Sequence, residues 1–222
     1  MGPGVRVESE ELDMFGADVL TFQEFKMGDP LPLATLHNAV LEFLRERDDI
    51  VVFGAQAVNA YVNEPRMTQA LDLLSTRADE AAEDLCDYLR QRFRIAVRIR
   101  RVADGRGLRL FQVRKAGNRH LVDLRRVDTL PESKRVAGVL VMAPAALIAS
   151  KVLAYQKRRG QPKSGTDWRD LAMLLLTFPD LKCDAGPVVE HLHAAGATPE
   201  ALAVWQELVA QEIRPPEEDD GY

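Results

Sequence analysis

Few folds accommodate the segment from Val51 to Ser75. It opens with a short apolar run that stops at Gly54, a pattern typical of a buried strand. A helix is predicted from Ala55 to Val62, Pro65 ends it, and a second strand is predicted over 71–74. A glycine between strand and helix lets backbone N–H groups approach a phosphate closely. The order of these elements predicts an α/β domain whose Gly54 turn is suited to a phosphate group.

The rest of the chain divides into two regimes. Before Pro144, helices are predicted over 33–47 and 79–93, and strands over 50–53, 95–100, 108–113, 120–127 and 136–142, with a hairpin turn at Asp104-Gly105. After it, helices are predicted over 145–159, 167–177, 187–195 and 199–213, with a linker at 160–165. We therefore expect an α/β (α+β) domain over 1–142 with an N-terminal helical lead-in, a helical domain over 143–214, and an acidic tail over 215–222.

Charge is distributed unevenly along the chain. Residues 90–126 contain thirteen Lys and Arg against two Asp, a local charge of +11, whereas the whole chain carries −5. Such a basic segment favours a partner that bears phosphates, although arginines on the solvent side of a sheet also serve solubility alone. No apolar run approaches the roughly 20 residues of a membrane span, and the N-terminus has no signal-peptide pattern. We expect a cytoplasmic protein that does not contact a membrane.

Cysteine and histidine give no metal-site signal. Cys86 and Cys183 lack the spacing of metal ligands, and two structural thiols suit a reducing compartment. The histidines form no metal spacing with acids or cysteines and are interpreted as structural or surface residues. They are His37, His120, His191 and His193.

Arg66, Thr68, position 70 and Asp72 follow the Gly54-Ala55 turn at regular two-residue spacing. Together they resemble the first motif of the minimal nucleotidyltransferase superfamily, in particular AbiEii-type toxins, in which a Gly-Gly or Gly-Ser turn and a helix precede Arg-x-Thr-x-Asp-x-Asp. The resemblance implies a nucleotidyltransferase-like mixed sheet flanked by helices and followed by a helical portion.

Later segments extend the resemblance over roughly residues 35 to 178. Asp123 in HLVDLRRV lies where the family has its third carboxylate, and Lys151 and the run TDWRDLAMLL, with Asp167 and Asp170, resemble elements of the helical half. The resemblance implies catalytic roles for Asp72, Asp123 and Lys151. It implies nucleotide binding by Gly54, Ala55, Arg66, Thr68, Asp167 and Asp170.

Ala70 departs from the family pattern at the first aspartate of the pair. In the family, aspartates bridge two Mg²⁺ ions that activate the acceptor hydroxyl and neutralise the α-phosphate. With Asp72 and Asp123 as the remaining ligands, Mg²⁺ is expected to bind weakly and the chain to be a poor catalyst or none. Either the aspartate was lost naturally or an Asp→Ala substitution was introduced, and the intact surrounding motif favours the second origin.

Each candidate residue also has a purely structural interpretation. Asp72 and Asp170 are each suited to an ion pair, and Asp123 to a salt bridge with Arg125. Lys151 is able to extend from a helix flank, and Asp167 to begin a helix. Arg66 is equally suited to be an exposed cation of a loop.

Three functions follow from these observations. The first is Mg²⁺-dependent transfer of NMP from an NTP to an RNA or protein hydroxyl, with tRNA as the acceptor by family analogy and the 90–126 stretch binding its phosphates. The second is a non-catalytic module that binds nucleotide or RNA. The third is an interaction protein of a toxin–antitoxin pair, with an antitoxin as its partner.

Overall fold

The structure is a computed structural model that describes residues 31–102 and 105–215. It separates into two compact units. Among the described residues, the first unit consists of residues 31–60 and Glu64–Val141, and the second consists of Tyr61–Asn63 and residues 142–215. The predicted N-terminal lead-in, the turn residue Asp104 and nearly all of the acidic tail lie outside the described residues.

The first unit is built on a seven-stranded mixed sheet. Its strands are β1 (Ile50–Phe53), β2 (Leu71–Ser75), β3 (Val97–Val102), β4 (Gly107–Gln112), β5 (Arg119–Arg126), β6 (Ser133–Val136) and β7 (Val139–Met142). They are ordered β3-β4-β5-β2-β1-β7-β6. β1 runs antiparallel to β2 and parallel to β7, and β2 runs parallel to β5. The expected mixed sheet is thereby confirmed.

In the described part of this unit, three helices accompany the sheet: α1 (Leu33–Leu44), α2 (Gly54–Asn59) and α3 (Ala78–Phe93). Helix α3 buries Ala78, Ala82, Leu85 and Leu89 at three- and four-residue spacing and packs on β3, β4 and β5. Glutamate and aspartate in its first turn and arginines in its last turn suit the helix dipole.

The second unit is helical. It contains α4 (Pro144–Lys157), α5 (Pro162–Thr177), a 3₁₀ turn at Pro179–Leu181, α6 (Pro187–Ala194) and α7 (Pro199–Ala210). Trp205, which is 1% exposed, donates its indole N–H to the Cys183 carbonyl at 3.1 Å. Within residues 31–102 and 105–215, no helix is both long and apolar enough to cross a bilayer.

Two sequence predictions were wrong in their boundaries. The single strand predicted over 136–142 is a hairpin of β6 and β7, whose turn residues Ala137 and Gly138 have φ of 48° and 80°. The linker predicted at 160–165 is mostly helical, because α5 already begins at Pro162. Proline is favoured in the first turn of a helix, where its missing N–H costs nothing, so this residue starts the helix.

Candidate functional site

One row of side chains crosses the sheet at the carboxyl end of β1. Phe53 pairs with Asp72, Asp72 with Asp123, Asp123 with Arg109, and Arg109 with Arg100. Residues paired across adjacent strands project to the same face of a sheet, at a strand spacing of about 4.8 Å. The register therefore brings the two predicted metal ligands side by side and places two arginines in line with them. We call these five residues the central row.

The face that carries the central row is polar. The alternate residues Leu73, Leu110 and Leu124 are buried on the other face of the sheet, on which helix α3 packs. Arg98 and Arg100 of β3 are exposed on the same face as the row. We call the surface formed by the central row and Arg98 the arginine face.

Gly54 and Asp72 are in close contact. Gly54 has φ +71°, in the left-handed region that favours glycine, and a Cβ built on it would lie 2.9 Å from Asp72 Cγ. A side chain at position 54 would therefore push the carboxylate away. Gly54, which the sequence predicted to lie beside a phosphate, therefore also leaves room for the Asp72 carboxylate. Ala55 is the next residue of helix α2.

Asp123 has two nitrogen-bearing neighbours, Arg109 and His120. Arg109 Nε donates to Asp123 Oδ1 at 2.7 Å, and His120 Nε2 lies 3.4 Å from the same oxygen. Partial burial raises the pKa of the Asp123 carboxyl, but His120 and Arg109 outweigh it and hold that pKa below its ordinary value. The carboxylate is therefore charged and already bonded to a guanidinium. The predicted alternative partner, Arg125, instead lies over the Phe53 ring at 5.1 Å.

A β-bulge explains why His120 shares a face with Asp123. Leu110 pairs with Val122 but Phe111 pairs with His120, so Leu121 is an extra residue in β5. The extra residue lets Leu121 and Val122 both be buried and turns His120 back towards the arginine face, where it stacks on Phe111 at 5.0 Å. The irregular alternation of HLVDLRRV was the sequence signal of this bulge.

The loop before β2 is anchored by Asn59. Its side-chain oxygen accepts the Arg66 backbone N–H at 3.0 Å, and its Nδ2 donates to the Arg66 carbonyl at 2.8 Å and to Gln56 at 2.6 Å. Asn59 and Gln56 are each 5% exposed. We call these hydrogen bonds of Asn59 the clamp; they fix the position of Arg66 at the start of the motif. The Thr68 hydroxyl oxygen is buried and, within the described part of the chain, has no hydrogen-bond partner.

Ala70 directly precedes β2, two positions before Asp72. Within the described ranges, no group of three or more His, Cys, Asp or Glu side chains is arranged to hold a metal ion. Asp72 and Asp123 supply two carboxylates, and one of them is bonded to Arg109. These residues do not fit a two-ion magnesium site, because the donor set lacks the carboxylate that Ala70 replaces.

The other predicted site residues lie in the helical unit and pair with one another. Lys151 Nζ donates to Asp170 Oδ2 at 2.6 Å, and these side chains are 8% and 0% exposed. Arg158 donates to both oxygens of Asp167, at 3.0 and 2.8 Å. The first contact joins α4 to α5, and the second joins Arg158, which directly follows α4, to α5. Both contacts give these residues a structural role; their nucleotide-related roles stay predictions.

The basic stretch is divided between the two faces of the sheet. Arg101 and Arg126 both pair with Asp79 at the start of α3, Arg101 at 2.6 Å. Arg98 and Arg100, in contrast, form no ion pair with any residue that the structure describes. The sequence identified the basic stretch and both aspartates; it missed Arg109, His120 and Asn59 as individual site residues, because their roles depend on cross-strand register and tertiary contacts.

Comparison with solved structures supports the fold. The Megavirus polyadenylate synthase is similar with a TM-score of 0.56 and 11% identity, over 71% of this chain and 34% of that one, so this chain spans about a third of its length. JHP933 from Helicobacter pylori is similar with a TM-score of 0.50 and 13% identity, over 86% of this chain and 92% of that one. At such low identities these likenesses bear on the fold alone. A search of curated proteins found no match.

The family assignment rests on the sequence over most of its length. The family described as the nucleotidyl transferase AbiEii toxin of type IV toxin–antitoxin systems matches residues 38–213, which include all of the predicted site residues. That range includes most of both units described above and the motif around Ala70. The chain belongs to the AbiEii nucleotidyltransferase toxin family.

Proposed function

We propose that the arginine face is the site of a nucleotidyl transfer reaction in which NMP passes from an NTP to a hydroxyl of RNA, with tRNA as one acceptor, or of a protein. The observation that carries the proposal is the in-register pair of Asp72 and Asp123 beside the Gly54 turn. Two carboxylates on one face, next to a small-residue turn, suit a reaction in which bound cations neutralise the negative charge on a phosphate.

In this reaction the acceptor oxygen bonds to the α-phosphorus, the bond to the β-phosphate breaks, and pyrophosphate leaves. Mg²⁺ would be the cofactor of a form that carries aspartate at position 70, in which Asp72 and Asp123 would be two of its ligands. Since Ala70 removes a third carboxylate, we propose that the chain as it stands transfers nucleotides poorly or not at all.

An RNA acceptor is favoured by the unpaired arginines. Arg98 and Arg100 both lie on the edge strand β3, and Arg100 is the last residue of the central row. Both are exposed and form no ion pair within residues 31–102 and 105–215. Guanidinium groups bind phosphate oxygens in a forked geometry. Because NTPs and RNA are the proposed substrates, we propose a cytoplasmic site of action.

A second function is a binding module without turnover, as one half of a toxin–antitoxin pair. It is favoured by Ala70 and by the bond from Arg109 to Asp123, which together leave the carboxylates poorly suited to metal ions. This module would bind nucleotide or RNA, and an antitoxin protein would be its partner. Co-purification with the product of a neighbouring gene would support the antitoxin interaction.

A transfer assay separates these functions. The Ala70→Asp variant and the unaltered chain are incubated with each α-³²P-labelled NTP, Mg²⁺, and either total tRNA or a protein panel. We expect the variant to label an acceptor at least tenfold faster than the unaltered chain, and Asp123→Asn in the same background to abolish labelling. Absence of labelling by Ala70→Asp with every nucleotide and acceptor would contradict the enzymatic proposal and leave the binding module.

A further inference from the structure

We propose that the unaltered chain binds the triphosphate of a nucleotide through Arg100 and Arg109 without a divalent cation. This inference rests on the proposed function only in using the same face and the same class of ligand. It concerns how the phosphate charge is neutralised in a chain that has alanine at position 70.

The charges on the arginine face give the first argument. Arg98, Arg100 and Arg109 carry three positive charges on the arginine face, where Asp72 and Asp123 carry two negative ones. Carboxylates without a counter-charge attract Mg²⁺, but Asp123 already has the Arg109 guanidinium bonded to it. The excess of positive charge favours an anion as the ligand.

The bond between Arg109 and Asp123 gives the second argument. At 2.7 Å it is a charge-assisted hydrogen bond to a partly buried carboxylate, whose side chain is 22% exposed. A magnesium ion bound to this oxygen would have to displace the guanidinium. Arg109, which is 46% exposed, still has nitrogen donors besides the Nε that this bond uses.

The spacing of the arginines gives the third argument. Arg100 and Arg109 are directly paired across β3 and β4, so their Cα atoms lie about 5 Å apart. Two long side chains from such a pair are able to contact neighbouring phosphoryl groups of one polyphosphate. Arg100 has no acidic partner among residues 31–102 and 105–215 and therefore loses no ion pair when it binds an anion.

Titration calorimetry with inorganic tripolyphosphate and with ATP tests the proposal, in EDTA and in 5 mM Mg²⁺. We expect the dissociation constants in the two buffers to agree within about threefold. Arg109→Gln and Arg100→Gln should each weaken binding in EDTA at least fivefold. Arg101→Gln is the matched control, because it removes a neighbouring charge whose side chain pairs with Asp79 on the other face, and it should change binding less than twofold.

Asp123→Asn distinguishes a guanidinium site from a metal site by the sign of its effect. If Arg109 binds the phosphate, removing the carboxylate frees the guanidinium, and binding in EDTA should become equal or up to tenfold tighter. Binding that requires Mg²⁺, weakening by Asp123→Asn, or equal effects of Arg100→Gln and Arg101→Gln would each overturn the inference. Because all of these measurements keep Ala70, their outcome does not depend on the outcome of the transfer assay with Ala70→Asp.

Discussion

Gly54 and Asp72 lie so close that a Cβ on Gly54 would come within 2.9 Å of Asp72 Cγ. The position of the Asp72 carboxylate therefore depends on the residue at position 54 in the turn between β1 and α2. The absence of a side chain at 54 allows the carboxylate to occupy its position beside the turn.

Gly54→Ala is expected to lower the free energy of unfolding by about 2–4 kcal/mol, through the left-handed φ and the clash with Asp72. Gly160→Ala is the control, since Gly160 has φ +80° with nothing within 4 Å of a built Cβ. It should cost only about 1–2 kcal/mol. Urea denaturation measures both, and equal losses would show that the contact with Asp72 has no energetic role.

Asn59 is expected to keep the loop before β2 ordered. Asn59→Ala removes both hydrogen bonds to the Arg66 backbone and should cost about 1–3 kcal/mol, because these part-buried backbone groups lose their partners. Hydrogen exchange at the Arg66 amide should accelerate markedly in this variant. The exposed Asn63 provides the control, and an Arg66 amide equally protected in Asn59→Ala and Asn63→Ala would refute the clamp.

Lys151 and Asp170 form a buried ion pair, and removal of the lysine should leave a buried carboxylate without its ammonium partner. Lys151→Met is expected to cost about 3–5 kcal/mol, and the double variant Lys151→Met/Asp170→Leu should recover much of that loss. Asp87→Asn, which breaks an exposed pair with Arg90, should cost less than about 1 kcal/mol. A Lys151→Met protein of unchanged stability would show that this lysine has no structural role.

Tyr61 makes the stability sensitive to alkaline pH. Burial raises the pKa of its hydroxyl to about 12 from 10.0, and the hydroxyl donates to the Met142 carbonyl at 3.0 Å. An acid whose pKa is raised on folding stabilises the protein fully below the unfolded pKa, and this contribution is lost as pH rises from 10 through 12.

Urea denaturation of the wild type and Tyr61→Phe at pH 8 to 11 tests this dependence. At pH 8 the variant should be less stable by about 0.5–1.5 kcal/mol for the lost hydrogen bond. The difference should shrink above pH 10, because only the wild type has the hydroxyl to ionise. A difference that stays constant across this range would contradict the assigned environment of Tyr61.

The sequence was sufficient to predict the segments whose patterns are local. A continuous apolar run indicated β1, and the spacing of small and apolar residues indicated α3. It was insufficient for β6, whose sequence Ser-Lys-Arg-Val has no apolar alternation because the strand lies at the sheet edge and is largely exposed.

The candidate site shows the same division between local and long-range information. The family motif identified Asp72 and Asp123 individually. The pairing of Arg109 with Asp123 depends on the register of β4 against β5, and the position of His120 depends on the bulge at Leu121. Neither is encoded within a short window of sequence, so neither was predicted.

The central claim is that residues of the arginine face form a nucleotidyltransferase site that lacks one carboxylate at position 70. The most direct measurement compares the rate of ³²P-NMP transfer to tRNA by the unaltered chain and by Ala70→Asp at equal concentration in Mg²⁺. We predict at least a tenfold gain for Ala70→Asp that EDTA abolishes. Equal rates of transfer by the two proteins, or none by Ala70→Asp with any nucleotide or acceptor, would contradict the claim.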